Sequence, residues 1–282
     1  MTISSHWVLT LECADRPGIV HAVSGAIATA QGNITELQQF SSSSGRFFMR
    51  VQVESGFERA RFEEALAPLA AYLNAQWHLD SVGRPRRTLI LASRAGHCLN
   101  DLLFRTRSGL LPIEVTGVMA NHPDLAPLAS FYGVPFSDHV VLPGTKAEFE
   151  RRVLERVEAD RVELVVLARY MQILSPELCA ALGGRAINIH HSFLPGFKGA
   201  NPYRQAHERG VKLIGATAHF VTPNLDEGPI IEQNVTRVDH SADVAELTAL
   251  GQEQETRTLG AAVRLVSEHR VFRDGSRTVV FR

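Results

Sequence analysis

Three polar residues with complementary chemistry lie within one stretch, residues 186–233, of this 282-residue chain. Asn188 and His190 stand two residues apart at the predicted end of a strand, and Asp226 follows in a polar turn. A carbonyl oxygen that gains negative charge needs hydrogen-bond donors, which an amide and an imidazole supply. A carboxylate can take the proton of the attacking nucleophile. The trio therefore suggests attack on a formyl or similar acyl carbon.

Asp226 is expected to control protonation around it. Its negative charge would favour the protonated, donating form of a nearby His190. Burial is expected to raise the pKa of Asp226 toward a range that suits a general base. The alternatives to catalysis are a turn role for Asp226 within residues 224–228 and a loop-capping role for Asn188.

A zinc site is a competing interpretation of the same region. His190, His191, His219 and Asp226 together offer enough ligands for Zn²⁺. Adjacent histidines on an extended chain point to opposite faces, so His190 and His191 are not expected to bind one ion together. The chain also has no H-E-x-x-H motif, and we expect no metal. His191 is then a wall residue, and His219 is a buried histidine that orients Asp226.

The surrounding elements predict a mostly parallel sheet that is covered by helices on both faces. From Thr88 onward, short apolar strands alternate with helices, and the strand that leads to His190 is placed at residues 186–189. Reactive groups of such sheets gather at the carboxyl ends of the strands. The remaining predicted elements are two strands, a long helix and a hairpin, at 214–221, 229–235, 242–269 and 271–281.

Residues 1–83 predict a separate domain with the element order βαββαβ. The turn Asp15-Arg16-Pro17-Gly18 and the Gly32-Asn33-Ile34 that follows the first helix resemble those of ACT domains. The resemblance implies a dimerisation or regulatory module in a homo-oligomer, with or without a small amino-acid effector. Residues 84–87, which are basic, are predicted to be a linker, and residues 88–282 to be the second domain.

Composition excludes several classes of protein. The net charge of -1 argues against a nucleic-acid or anionic-membrane partner. The sequence shows neither an apolar run of ~20 residues nor a signal peptide. Three scattered cysteines fit a reducing cytoplasm. The chain lacks G-x-G-x-x-G, G-x-x-x-x-G-K-[ST] and G-x-S-x-G motifs, so nothing favours a dinucleotide, a nucleoside triphosphate or a serine hydrolase.

The second domain resembles the folate-dependent formyltransferases, which use 10-formyltetrahydrofolate. The resemblance implies that Asn188 and His190 lie near the formyl group and that Asp226 handles the proton. It also implies a pterin site between two loops, with substrate-binding roles for Met171, Gln172, Leu174, Val221, His219 and Gly228. The residues that carry it are Leu167-Ala168, Met171, Ile173-Leu174-Ser175-Pro176, Asn188-Ile189-His190, Ser192, Leu194-Pro195, Gly199, Gly215-Ala216-Thr217, His219, Asp226, Gly228-Pro229-Ile230-Ile231 and Gln233.

The pairing of an ACT-like domain with this fold is similar to the formyltetrahydrofolate deformylase family. It implies hydrolysis of the folate substrate to formate and tetrahydrofolate without a separate cofactor, which supplies formate for purine biosynthesis and balances the one-carbon pool. Residues 93–99 lack the glycine-serine pattern with which related transformylases hold an acceptor phosphate, and this favours water as the acceptor. Formyl transfer to an amine and a folate-binding regulator without turnover remain as alternatives beside the zinc hydrolase.

Overall fold

The computed structural model describes residues 5–56, 58–140, 144–194 and 202–282, and the chain divides into two compact units. Unit 1 comprises Met1–Arg84 together with Glu268–Arg282, and unit 2 comprises Pro85–Ser267. Pro195 and Gly199, which contribute to the resemblance, lie outside the described residues, as does Phe57 at the predicted start of a helix. The predicted α/β class, with two different sheets, is confirmed.

Unit 1 contains a four-stranded antiparallel sheet whose strand order is β2-β3-β1-β4. Helical spacing places Ile19, Val23 and Ile27 on one face of the first helix, where they join the core. The predicted order βαββαβ is confirmed. The elements are β1 Ser5–Ala14, α1 Ile19–Thr29, β2 Gly32–Ser41, β3 Arg46–Ser55, α2 Arg59–Leu73 and β4 Gln76–Ser81.

Unit 2 is built on a seven-stranded sheet, and its sequence alternates strands and helices as predicted. An additional helix at Pro202–Glu208 was not predicted, and the helical segment between β6 and β7 divides into a 3-10 turn and a short α-helix. The elements are β5 Arg86–Ala92, α3 His97–Arg107, β6 Ile113–Ala120, a 3-10 turn Pro123–Leu125, α4 Ala126–Phe131, β7 Phe136–Asp138, α5 Lys146–Ala159, β8 Leu164–Ala168, α6 Pro176–Leu182, β9 Ala186–His190, α7 Pro202–Glu208, β10 Leu213–Phe220, β11 Ile230–Arg237 and α8 Val244–Ser267.

The strand order β11-β10-β9-β8-β5-β6-β7 places the catalytic candidates in the interior of this sheet. The pairs from β9 to β7 are parallel, whereas β10 is antiparallel to both of its neighbours. Asn188 and His190 lie on the same side of β9 because side chains alternate along a strand. Asn188 pairs with His219 of β10, and His190 pairs with Thr217. The central strands therefore bring residues that are distant in sequence together near the carboxyl end of β9.

Residues 268–282 differ from the prediction, which assigned them to the second domain. They form the predicted hairpin, with β12 Val271–Asp274 and β13 Arg277–Val280, but they group with unit 1. Phe272 and Phe281 form a buried cluster with Phe48 of β3, and the Phe48 and Phe272 ring centroids are 5.6 Å apart. A two-stranded hairpin is marginal alone and needs such a cover. The predicted linker is also shorter, because Arg86 already begins β5.

Asp80 is a buried carboxylate that connects β4 to the segment after α8 within unit 1. It accepts hydrogen bonds from Arg84 Nε at 2.6 Å, Arg84 Nη2 at 2.8 Å and His269 Nε2 at 3.0 Å. Burial alone would raise the pKa of Asp80, but hydrogen bonds from His269, His78, Arg84 and the Ser81 backbone N–H lower it far below its usual value. The carboxylate is therefore charged, and both of its oxygens accept hydrogen bonds.

The variant Asp80→Asn is expected to lower the free energy of unfolding by about 2 to 3 kcal/mol, because the donors around this buried position lose a charged acceptor. The depressed pKa gives a stabilisation that is present above the unfolded-state pKa of about 4 and is lost as the pH falls below it. Urea unfolding at pH 7 and pH 3 measures both effects. Glu54→Gln, an exposed change on β3, is the control. Equal unfolding midpoints for the two variants at pH 7 would contradict the role given to Asp80.

Candidate active site

Asn188, His190 and Asp226 come together with His219 at one edge of the seven-stranded sheet. His190 Nδ1 lies 3.3 Å from Asp226 Oδ2. His219 Nε2 lies 3.7 Å from Asp226 Oδ1 and 3.2 Å from Asn188 Nδ2. The three residues that the sequence proposes as catalytic are thus close enough to act on one small molecule.

Backbone geometry brings Asp226 to this position. Asp226 has a φ of 55°, in the left-handed region that aspartate and asparagine tolerate better than most residues. Two residues later, Gly228 is buried, and a Cβ there would overlap the carbonyl oxygen of Phe220. The glycine allows the returning chain to approach the end of β10, which places Asp226 over His190 and His219.

His219 orients two of the three catalytic candidates. Its Nδ1 donates to the carbonyl oxygen of Phe220 at 2.9 Å, and its Nε2 lies 3.7 Å from Asp226 Oδ1 and 3.2 Å from Asn188 Nδ2. The contact with Asn188 leaves an amide hydrogen of that residue for a bound molecule. His219 therefore acts on the site through Asn188 and Asp226, in agreement with its predicted orienting role.

His190 presents one ring nitrogen to the protein and one to the cavity. Its Nδ1 faces the Asp226 carboxylate and carries the hydrogen there. Its Nε2 is buried and has no hydrogen-bond partner among the described residues. An unpaired buried nitrogen is costly without a ligand, so Nε2 is the atom available to a substrate.

The pKa of Asp226 differs from the expectation that burial would raise it. Burial does act in that direction, but hydrogen bonds and charge interactions with His190 and His219 outweigh it and bring the pKa well below its usual value. Asp226 is therefore a carboxylate at neutral pH. The sequence prediction was wrong here because it gave burial more weight than the contacts with the two imidazoles, which the pairing of β9 with β10 brings together.

The site opens into a cavity of about 230 Å³. Five of the six predicted substrate-binding residues line it: Met171, Gln172, Leu174, His219 and Val221. Gly228 is not among the lining residues and has the packing role described above. Arg169, Tyr170 and Cys179, to which the sequence gives no role in the site, also line the cavity.

Apolar side chains flank the opening of this cavity. Met171, Ile173 and Leu225 are each more than half exposed. They belong to the loop after β8 and the loop after β10, which face the cavity from two sides. Binding sites for flat organic molecules are usually apolar with a few placed polar groups, and this opening has that composition.

The geometry does not support the zinc interpretation. Within the described ranges, the groups that bring three metal-ligating side chains together are His78, Asp80 and His269, and His97, Cys98 and Glu255. Neither contains a residue of the predicted set.

The orientation of His190 and His191 differs from the expectation that they point to opposite faces. Their rings stack, with centroids 4.9 Å apart. The strand ends at His190, so strict alternation ends there too.

Comparison with known proteins shows the family. The Formyl transferase model matches residues 86–263, and the ACT domain model matches residues 7–70. A formyltetrahydrofolate deformylase from Corynebacterium is 49% identical over 280 residues, which cover 98% of both chains. The chain belongs to the formyltetrahydrofolate deformylase family. The deformylase of Escherichia coli strain K12 is 40% identical, with 97% of both chains covered.

Solved structures extend this result to the fold of both units. The crystal structure of the formyltetrahydrofolate deformylase from Burkholderia mallei matches with a TM-score of 0.95 at 49% identity, covering 99% of this chain and 100% of that one. A glycinamide ribonucleotide transformylase from Symbiobacterium toebii matches with a TM-score of 0.66 at 34% identity and covers 73% of this chain. The deformylases therefore share the whole architecture, whereas this transformylase shares part of it.

No helix within the described part of the chain is both long enough and apolar enough to span a bilayer. The longest one, α8, has polar and charged residues along much of its length.

Proposed function

We propose that this chain hydrolyses 10-formyltetrahydrofolate to formate and tetrahydrofolate. The observation that carries the proposal is the convergence of Asn188, His190 and Asp226 at one cavity, in a chain of the deformylase family. The folate is the substrate, and the reaction uses no separate cofactor or metal. The enzyme class is a hydrolase that cleaves the bond between the formyl carbon and N10.

The pterin of the substrate lies between the loop after β8 and the loop after β10 in this proposal. Met171, Leu174 and Val221 supply apolar contacts, and Gln172 supplies a polar one. This placement directs the formyl group toward Asn188 and His190, which lie beyond these loops at the end of β9. The flat heterocycle gains from the removal of its faces from water.

The proposed reaction begins with attack of a water oxygen on the formyl carbon. The free amide hydrogen of Asn188 donates to the formyl oxygen as it becomes negative. His190 donates to the same oxygen from Nε2 in the protonated ring, which carries a hydrogen on each nitrogen. The Asp226 carboxylate accepts the proton of the attacking water through a lone pair that its histidine contacts leave open. The C–N10 bond then breaks, the proton passes to N10, and formate and tetrahydrofolate leave. Because its pKa is low, Asp226 returns the proton readily.

Water rather than an amine is the proposed acceptor. Near the start of α3, where the transformylase resemblance implies a backbone cradle for an acceptor phosphate, His97 instead contacts Glu255 at 2.7 Å. A side chain that is held in place by a buried carboxylate leaves less room for a phosphorylated acceptor. Formyl transfer to an amine is the second candidate, since a transformylase is among the structural relatives.

The proposed setting is a cytoplasmic homo-oligomer that supplies formate for purine biosynthesis and balances the one-carbon pool. Unit 1 is proposed to pair with a second copy and to bind a small amino-acid effector, in keeping with its match to the ACT domain model. The effector is tested by titrating the purified chain with individual amino acids and measuring the change in formate release.

The decisive experiment incubates the purified chain with 10-formyltetrahydrofolate alone and measures formate. We expect formate and tetrahydrofolate in equal amounts, without any amine acceptor. Product that forms only after addition of glycinamide ribonucleotide would show a transferase. Tight folate binding in a calorimeter with no formate would show a regulator. Inhibition by a chelator, with stoichiometric metal in the purified chain, would show a zinc hydrolase.

A further inference from the structure

Glu255 of α8 is a buried carboxylate of unit 2 that the proposed reaction does not use. Its side chain is almost completely buried and is contacted by three donors. His97 Nε2 is 2.7 Å from Oε2, the Tyr203 hydroxyl is 2.6 Å from Oε1, and Arg169 Nε is 3.3 Å from Oε2. Burial would raise the pKa of Glu255, but His97, Arg169 and Tyr203 lower it. Glu255 is therefore a charged anchor inside the unit.

Arg169 connects this anchor to the wall of the cavity. It follows β8 directly, lines the cavity and has a φ of 62°, which is unusual for a residue other than glycine. Such a conformation is strained and persists where the surroundings determine it. Its Nη1 lies 2.6 Å from His191 Nδ1. The strained backbone thus places a guanidinium between Glu255 and His191.

The contact from Arg169 determines the tautomer of His191. A guanidinium only donates hydrogen bonds, so His191 Nδ1 must be the acceptor and the ring hydrogen is on Nε2. The His191 ring stacks on the ring of His190, with an interplanar angle of 23°. A continuous line of contacts therefore runs from Glu255 through Arg169 and His191 to His190.

A metal site at the same place is the competing explanation, because His97, Cys98 and Glu255 bring three ligand atoms together. The Glu255 oxygens already accept from His97 and Tyr203, and Oε2 also forms an ion pair with Arg169. The contacts therefore favour a positioning role over a metal.

We propose that Arg169 and Glu255 are a positioning pair for the reaction. The pair holds His191 as a fixed surface against which His190 is stacked, so that His190 Nε2 stays directed at the formyl oxygen. This inference rests on the proposed function, since the reacting atoms are those of the formyl group. The pair contacts His191 and not the reacting atoms, so its effect is on the orientation of His190.

The test compares Arg169→Gly, Glu255→Gln and the double variant, with the exposed Glu253→Gln of α8 as the control. Glycine suits the backbone at position 169, so Arg169→Gly removes the guanidinium without adding backbone strain. We expect kcat to fall about 10- to 100-fold in each single variant, with KM changed less than about threefold. Because the two residues act as one unit, the double variant should be no slower than the slower single variant.

A wild-type kcat in Arg169→Gly would overturn the proposal, as would a loss that lies in KM. Independent losses that multiply in the double variant would also overturn it. The nitrogen NMR signals of His191 in the unmodified chain give a test that needs no variant. We expect a hydrogen on Nε2 and none on Nδ1, and the reverse pattern overturns the proposal. Absence of formate release by the unmodified chain would instead reject the proposed function. The NMR result does not depend on activity, so the two failures can be distinguished.

Discussion

The variant Asp226→Asn is expected to release formate with a kcat about 10³-fold below that of the unmodified chain. Asparagine has the shape of aspartate and tolerates the left-handed backbone at this position. It is neutral, however, so it cannot accept the proton of the attacking water. It also removes the charge that faces His190 and His219. Steady-state formate release at saturating folate measures the change.

Asp124→Asn, an exposed change of the same type in unit 2, is the matched control and should keep full activity. The low pKa of Asp226 adds a condition on pH. Its carboxylate stays charged as the pH falls toward about 4, so titration of Asp226 should not reduce kcat/KM between pH 8 and pH 5. A kcat of Asp226→Asn within tenfold of normal, in a variant that folds as the control does, would remove Asp226 from the mechanism.

The variant His190→Ala is expected to lower kcat/KM about 10²-fold or more, because the developing oxyanion loses a donor. The loss should be larger than that expected for the Arg169 and Glu255 positioning pair, which acts only through His191. His190→Gln retains a neutral donor and should recover part of the activity. Formate release across a range of folate concentrations separates the effects on kcat and KM.

His240→Ala, at an exposed position of unit 2, controls for the loss of an imidazole elsewhere. If the glutamine variant were no faster than the alanine variant, donation to the formyl oxygen would not be the role of His190. An alanine variant with more than a tenth of normal activity would show that Asn188 alone suffices.

Local patterns account for what the sequence predicts well. The strand before His190 is apolar on both faces, as a central parallel strand must be, and this places Asn188 and His190 at its carboxyl end. The turn around Gly228 places Asp226 after a second buried strand. The resemblance to the formyltransferases then connects these residues to one substrate, and the family is confirmed.

Long-range contacts account for what the sequence does not predict. Arg169 stands in a short loop with no periodic pattern, and its role depends on Glu255, which lies on the last long helix. The pKa of Asp226 depends on two histidines from different strands. The position of the C-terminal hairpin depends on Phe48, which looks like any other strand residue in the sequence. Periodicity reports which face of an element is buried, and not which partner buries it.

The grouping of residues 268–282 with unit 1 makes that unit discontinuous. Unit 2 is consequently an insertion in the sequence of unit 1, which continues after residue 267. Cutting the chain after Arg84 would leave unit 1 without residues 268–282, and Phe48 would lose its contacts with Phe272 and Phe281. A minimal version of unit 1 would instead splice residues 5–84 to 268–282 through a short artificial bridge. Gene fusions that exchange unit 1 must respect both junctions.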